Sequence, residues 1–286
     1  MKQDESGTLY LCATPIGNLK DITARAVQTL SAADVIAAED TRHTRQLLTH
    51  LGIRAALVSY HEHNKDKQGP LLLAQLEEGK DVALVSDAGF PGIADPGEHL
   101  ARLAIASGIK VVPIPGANAA LCALIASGLP SSPFFFGGFL PKSKKNRRQQ
   151  LGTWEKIPAT IVLYEAPHRV KEVLKDILAA WGDRRLAIGR ELTKLHEEFF
   201  RGTVSEALGW LEKQPPRGEF SLVIAAPTEV PVEASADEDD VLAQVRRMIA
   251  EGTPKKEALQ RAAKESKIPR RKLYNRLILA EEGEKE

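Results

Sequence analysis

Five times before residue 120, a short apolar run breaks into a polar or Gly/Pro-rich loop, and amphipathic helical stretches separate the runs. Residues 9–13 run into Thr14-Pro15-Ile16-Gly17-Asn18, and 35–38 into Glu39-Asp40-Thr41-Arg42. Residues 57–58 lead to Tyr60-His61-Glu62-His63-Asn64, 82–85 to Ser86-Asp87-Ala88-Gly89-Phe90-Pro91-Gly92, and 111–114 to Pro115-Gly116-Ala117-Asn118. Apolar runs this short, bounded by turn residues, read as buried strands. Helices between them make the strands parallel, with their carboxyl ends along one edge. Ligands of open α/β sheets bind outside those carboxyl ends, where this chain concentrates its loop chemistry.

The pattern predicts a first α/β domain over residues 1–116, with Asp21 capping a helix through Leu30 and a second helix over 44–51 stopped by Gly52. A helix over 117–127 leads into a second α/β domain at 117–230. There, residues 134–136, 160–164, 185–188, 198–202 and 220–224 read as strands, with helices at 168–181 and 204–213. The segment Glu197-Glu198-Phe199-Phe200-Arg201-Gly202-Thr203 suggests antiparallel pairing, so the second sheet is expected to be mixed. A linker at 227–237 precedes a helical module over 238–286, whose turn at 266–269 and following Arg270-Arg271-Lys272 resemble a helix-turn-helix. The expected fold class is therefore a two-domain α/β protein with a parallel first sheet, a mixed second sheet and a small helical C-terminal module.

No apolar run approaches the roughly 20 residues a membrane helix needs. The first residues lack an apolar signal region, so the expectation is a cytoplasmic protein without a membrane partner. Cys12 and Cys122 sit in apolar runs without metal or redox spacing, and read as buried thiols. Net charge is only +1, but its distribution is uneven. Lys142, Lys144, Lys145, Arg147 and Arg148 fall within seven residues, and residues 246–276 hold eleven Lys/Arg against three Glu. Phosphate attraction is local, so such patches suit nucleic-acid contact even on a nearly neutral protein.

The chain has no Walker-type phosphate loop and no Gly-x-Gly-x-x-Gly after its first strand. His43, His61 and His63 lack a third ligand at a standard spacing, so no metal site is expected. What remains is a set of tight loops whose glycines let backbone groups approach a ligand, with Asp87 as a carboxylate at a strand end.

Taken in order, 14–18, 38–42, 86–97 and 115–118 resemble the tetrapyrrole-methylase superfamily and, within it, the branch that methylates small-subunit ribosomal RNA. Arg190-Glu191-Leu192-Thr193-Lys194 and Gly218-Glu219 extend the resemblance into the second domain. The resemblance implies S-adenosyl-L-methionine as methyl donor, a homodimer, and transfer to the 2′-hydroxyl of a cytidine in the decoding region of 16S rRNA, free or in the 30S subunit. It implies a donor pocket of Pro15, Asp87, Gly89, Pro91, Ile93, Ala117, Ala119, Tyr164 and Ala226. A neutral ribose hydroxyl is a poor nucleophile, and Arg42, Arg190, Glu191 and Lys194 are the expected catalytic groups. Glu39, Asp40, His61, His63, Lys144, Lys145, Arg147, Arg270, Arg271 and Lys272 are the expected substrate contacts. Two alternatives stand beside this reading: methylation of a corrin or sirohaem precursor, and a non-catalytic nucleic-acid-binding protein.

Overall fold

A computed structural model of the chain describes residues 6–93, 95–213, 216–227, 238–266, 273, 274 and 277. By its internal contacts the chain divides into two compact units, 1–227 and 228–286.

The first unit holds two five-stranded sheets. In the first, β1 (Thr8–Cys12), β2 (Val35–Ala38), β3 (Ala56–Ser59), β4 (Val82–Val85) and β5 (Lys110–Ile114) are all parallel, in the order β3-β2-β4-β1-β5. Alternate residues of β4 feed two cores. Val82 and Leu84 pack with Leu72, Leu76 and Leu100 from α3 (Lys65–Glu77) and α4 (Gly97–Ala106), whereas Ala83 and Val85 pack with Leu30 and Leu48 from α1 (Ala24–Ala32) and α2 (Thr41–His50). Both faces are thus covered, which is why this strand reads as an unbroken apolar run. Pro113 is tolerated because β5 lies at the sheet's edge.

Helix starts differ from expectation by a few residues. Asp21 closes a short 3-10 turn, and Thr23 is the true cap of α1, its hydroxyl accepting from the Ala26 N–H at 3.1 Å. Helix α2 begins at Thr41 because the Asp40 carboxylate accepts from the Arg42 N–H at 2.8 Å. In each case the short polar side chain nearest the first free N–H groups sets the start.

The second sheet comprises β6 (Phe134–Phe139), β7 (Thr160–Glu165), β8 (Arg185–Arg190), β9 (Glu198–Thr203) and β10 (Phe220–Ile224), in the order β6-β7-β10-β8-β9. Only β6 and β7 are parallel, so the sheet is mixed as expected. One face packs on α6 (Lys144–Trp154), α7 (Val170–Trp181) and α8 (Val204–Lys213). The other is covered by α5 (Ala119–Ala126), whose Ala120, Ala123 and Leu124 meet Val162, Ala187 and Val223. Its cap is Asn118, which accepts from Leu121 N–H, so the helix starts two residues later than expected and belongs by packing to the second sheet.

In the second unit, α9 (Glu238–Ala250) and α10 (Lys255–Ser266) bury Val241, Val245, Leu259 and Ala262 together with Leu273 and Leu277. The linker at 228–237, most of the following turn, and Arg270, Arg271 and Lys272 lie outside the described residues.

Candidate functional site

Loops after β1 and β4, neighbours at the centre of the first sheet, are joined directly. Thr14 N–H donates to the Gly89 carbonyl at 2.9 Å, and Gly89 N–H returns a bond to the Thr14 carbonyl at 3.1 Å. Gly89 adopts φ +79°, a conformation that strains a residue bearing a Cβ. Further along, the Asp95 carboxylate accepts from Gly92 and Gly97 N–H groups, both at 2.8 Å, folding the loop back on itself. A Cβ on Gly97 would sit 2.6 Å from the Gly92 nitrogen, so this closure requires glycine.

The second sheet meets these loops with the end of β7 and the start of β10, because those strands are antiparallel. Phe220 pairs with Glu165 and Ser221 with Tyr164. The Tyr164 phenol oxygen accepts from Ala120 N–H at 3.0 Å, and burial pushes that phenol up, so it stays protonated. Phe139 and Phe136 flank its ring at centroid distances of 5.6 and 5.1 Å.

Two cavities lie in the cleft between these elements. The first, about 410 Å³, is lined by Ile16, Glu39, Ser86, Asp87, Ala88, Gly89, Phe90, Ile93, Asp95, Asn118 and Ala119 on one side. Its other wall is Phe139, Tyr164, Glu165, Ala166, Pro167, Glu219, Phe220 and Ser221. The second, about 430 Å³, includes Thr14, Pro15, Gly17, Leu19, His43, Thr44, Gln46, Leu47 and Lys194. Ile16, Ser86, Asp87, Ala88 and Glu219 line both, so the two chambers meet at the end of β4.

Of the expected donor contacts, Asp87, Gly89, Ile93, Ala119 and Tyr164 line the first cavity. Pro15 lines the second instead. Pro91 and Ala117 line neither, although the Ala117 carbonyl lies 3.5 Å from where a Cβ on Gly89 would stand. Ala226 lines neither cavity. The first cavity is at the Phe220 end of β10, and Ala226 follows the opposite end of that strand.

The expected acceptor groups scatter more widely. Glu39 stands in the first cavity, whereas Lys194 stands in the second. Arg42 lines neither; it lies on a shallow groove along α2, paired with Asp40 at 2.8 Å and with its side chain 89% exposed. That pairing holds the Asp40 carboxyl far below the usual range. Arg190 bonds the Arg217 carbonyl and, across the β8–β9 register, Glu198 at 3.2 Å, which gives it a structural position outside both cavities. His61 and His63 also line neither cavity. Lys144 and Lys145 are exposed on α6. Arg147 is not available to substrate: it is 1% exposed and bonded to Asp176 and Glu172 at 2.7–2.8 Å. A basic run places one residue per turn inward, and here the inward one meets two carboxylates on α7.

Lys194 is placed by a strained loop. Glu191 and Thr193 have φ of +52° and +65°, rare for residues with side chains and concentrated at functional sites. The Lys194 ammonium lies 2.8 Å from Glu191 and 3.3 Å from Glu219. Burial would lower its pKa, but the Glu191 bond and the Glu219 charge outweigh burial and hold it above the usual lysine value. Gly218 at φ +80° makes the arrangement possible, since a Cβ there would collide with the Glu191 side chain.

Glu165, Asp95, Phe139, Phe220, Ser221, His43 and the bridging role of Glu219 escaped the reading of the sequence. Asp95 and Glu219 stood inside quoted motifs, whereas the Phe220 end of β10 carries no signal until its pairing partner is known.

Comparison with known proteins agrees with this geometry. Residues 8–208 match the model of the Tetrapyrrole (Corrin/Porphyrin) Methylases. The chain is 51% identical over 276 residues to Ribosomal RNA small subunit methyltransferase I of Halalkalibacterium halodurans, covering 96% of each chain. It is 47% identical to the Bacillus subtilis protein of the same name, over 96% of this chain and 94% of that one. Among solved structures, uroporphyrin-III-C-methyltransferase from Thermus thermophilus superposes with a TM-score of 0.54 at 22% identity, covering 79% of this chain and 98% of that one. That likeness concerns the fold alone.

This family uses S-adenosyl-L-methionine, and the first cavity fits it. Its volume is within the range of roughly 300–1,000 Å³ for small-molecule sites. Aromatic walls at Phe139, Tyr164 and Phe220 suit a purine, and its carboxylates suit a cationic ligand. The matched span, the near-full-length relatives and the two-chamber cleft agree: this chain belongs to the tetrapyrrole (corrin/porphyrin) methylase family.

Proposed function

We propose that the chain transfers a methyl group from S-adenosyl-L-methionine to small-subunit ribosomal RNA, at the 2′-hydroxyl of a cytidine in the decoding region. The observation that carries this reading is the pair of chambers meeting at Asp87 and Ala88, one aromatic and acidic, the other holding Lys194 and His43. The relatives at 47–51% identity carry the rRNA methyltransferase name, which supports a polynucleotide acceptor over a tetrapyrrole.

When bound, S-adenosyl-L-methionine supplies an electrophilic methyl group on a sulfonium. The walls shared by the two chambers hold donor and acceptor in line, and alignment supplies much of the rate of such a displacement. Methylation of a hydroxyl releases one proton. Lys194 is held protonated by Glu191 and Glu219, so it serves as a cation beside the ribose oxygen or its phosphate, not as a base. His43, on the wall of the second cavity, is the side chain there suited to accept the proton. Asp87 holds the Asp40 N–H at 3.0 Å and so ties the first-domain loops together at the junction. Lys144 and Lys145 extend the positive surface available to RNA, and the basic C-terminal module adds a docking element.

The reading includes a homodimer in the cytoplasm. Leu121 and Ile125 on α5 are 47% and 76% exposed, an apolar face that a second copy would cover. No helix among the described residues is long and apolar enough to cross a membrane.

The test is direct. Protein and methyl-labelled donor are incubated in parallel with small ribosomal subunits, naked 16S rRNA and uroporphyrinogen, followed by mass mapping of the RNA. Label on one cytidine ribose supports the proposal; label on uroporphyrinogen alone overturns it.

A further inference from the structure

The first cavity has an unusual charge balance. Five carboxylates line it, from Glu39, Asp87, Asp95, Glu165 and Glu219, and among the described residues no Lys or Arg does. Two of the five have cationic partners outside that lining: Glu165 has Arg169 at 3.5 Å, and Glu219 has Lys194 at 3.3 Å. Glu39, Asp87 and Asp95 make no ion pair among the described residues.

Burial pushes both the Glu39 and Asp95 carboxyls up, and the neighbouring Asp87 charge adds to the shift at each. His61 opposes this at Glu39 more weakly than either Asp87 or Asp95 promotes it. Glu165 adds an independent sign of a missing ligand. It is 2% exposed, and its Oε2 has no hydrogen-bond partner among the described residues. Carboxylates gathered in one cavity, three of them half-buried and without an ion-pair partner among the described residues, repel one another, and a positively charged occupant relieves that cost.

We infer that this wall reads the positive charge of the donor sulfur, with Glu39 and Asp95 as the specificity-determining residues, so that the cavity holds S-adenosyl-L-methionine well above its product. The inference rests on the proposed donor site. The donor carries a sulfonium and an ammonium against one carboxylate. S-adenosyl-L-homocysteine keeps the same purine, ribose and amino acid but has a neutral sulfur. Contacts to the shared parts cancel in the comparison, and the acidic wall remains to separate the two. Product therefore leaves a cavity that has just lost the charge favouring occupancy.

Isothermal titration of the full chain measures this with three ligands: S-adenosyl-L-methionine, S-adenosyl-L-homocysteine, and sinefungin, which places an amine where the methylsulfonium stands. Wild-type protein should bind the first at least about tenfold more tightly than the second, equivalent to about 1.4 kcal/mol, with sinefungin on the tight side. Added salt should narrow the gap. Glu39→Gln and Asp95→Asn should each lose affinity for the two cationic ligands by a few-fold and keep their affinity for S-adenosyl-L-homocysteine, which also verifies that they fold. Asparagine at 95 retains an oxygen to accept the Gly92 and Gly97 N–H groups.

Because the sulfonium charge is already waning in the transition state, Glu39→Gln should raise the donor KM by a larger factor than it changes kcat. It should also melt no lower than the parent at neutral pH, since it removes a carboxylate whose ionisation the fold opposes. Equal wild-type affinity for charged and neutral ligands, or a selectivity unmoved in both variants, overturns the inference while leaving the donor site standing. Failure of all three ligands to bind overturns the donor reading and the inference with it. Should a variant fail to bind S-adenosyl-L-homocysteine, the wild-type selectivity and its salt dependence decide alone.

Discussion

The two sheets of the first unit contribute to the same cleft by opposite logic. In the first sheet every strand is parallel, so every carboxyl end points to one edge and a loop's place follows from its position after a strand. In the second sheet the cleft is served by the end of β7 and by the beginning of β10, since these two run antiparallel. Asp87 and Gly89 could therefore be located at the cleft from the chain alone, whereas Ser221 could not, and Ala226 stands at the other end of β10 from the first cavity. A parallel sheet has one functional edge; a mixed sheet assigns its ends only once pairing is known.

The largest effect expected is on the second sheet's support. Arg147 is buried with Asp176 and also bonds the half-exposed Glu172; removing it leaves the buried Asp176 with Arg148 alone, at 2.8 Å. Arg147→Ala should cost about 2–4 kcal/mol of stability, measured by chemical denaturation, since Arg148 still compensates part of the Asp176 charge. A loss below about 1 kcal/mol, with weakened RNA binding instead, would return Arg147 to the substrate face. Burial alone would raise the Asp176 carboxyl, but bonds from Arg148 and Arg147 outweigh it and hold it below the ordinary 3.8. Its contribution is thus full above that value and fades as pH falls through the lower folded-state pKa, so the acid limb of a stability profile should flatten in Arg147→Ala.

On the first sheet, Asp87→Ala should weaken donor binding by about 10–100-fold, corresponding to about 1.4–3 kcal/mol, while the protein stays folded at the modest cost of the lost Asp40 N–H bond. Unchanged donor affinity would remove Asp87 from the site and weaken the idea that a parallel edge locates its own ligand.

Lys194→Ala sharpens the division between the chambers. Turnover on rRNA should fall by about tenfold or more while donor affinity stays within about twofold, because Lys194 lines the second cavity and not the first, and the proposal gives the second to the acceptor. A loss of donor affinity equal to the loss of turnover would merge the two chambers into one site.

The smallest effect tests the two ends of β10 against each other. Ala226→Val should leave donor affinity within about 0.5 kcal/mol, whereas Ser221→Leu should obstruct the cavity. The reverse pattern would move the cleft to the opposite end of the strand.

The sequence by itself determined the strand–loop repeat, the all-parallel first sheet, the mixed character of the second and the family motifs, because each is carried by residues close together in the chain. Asp87, Gly89, Ile93 and Lys194 were legible on the same ground. Only the tertiary structure decided that Arg147 turns inward, that Arg190 pairs with Glu198, and that Glu39 lines the first cavity, because helix phase and strand register select each partner. It also decided that five carboxylates from four separated segments share one cavity without a Lys or Arg among its described lining residues. Net charge of +1 conceals that arrangement, since electrostatics depends on distance and burial, which composition does not contain.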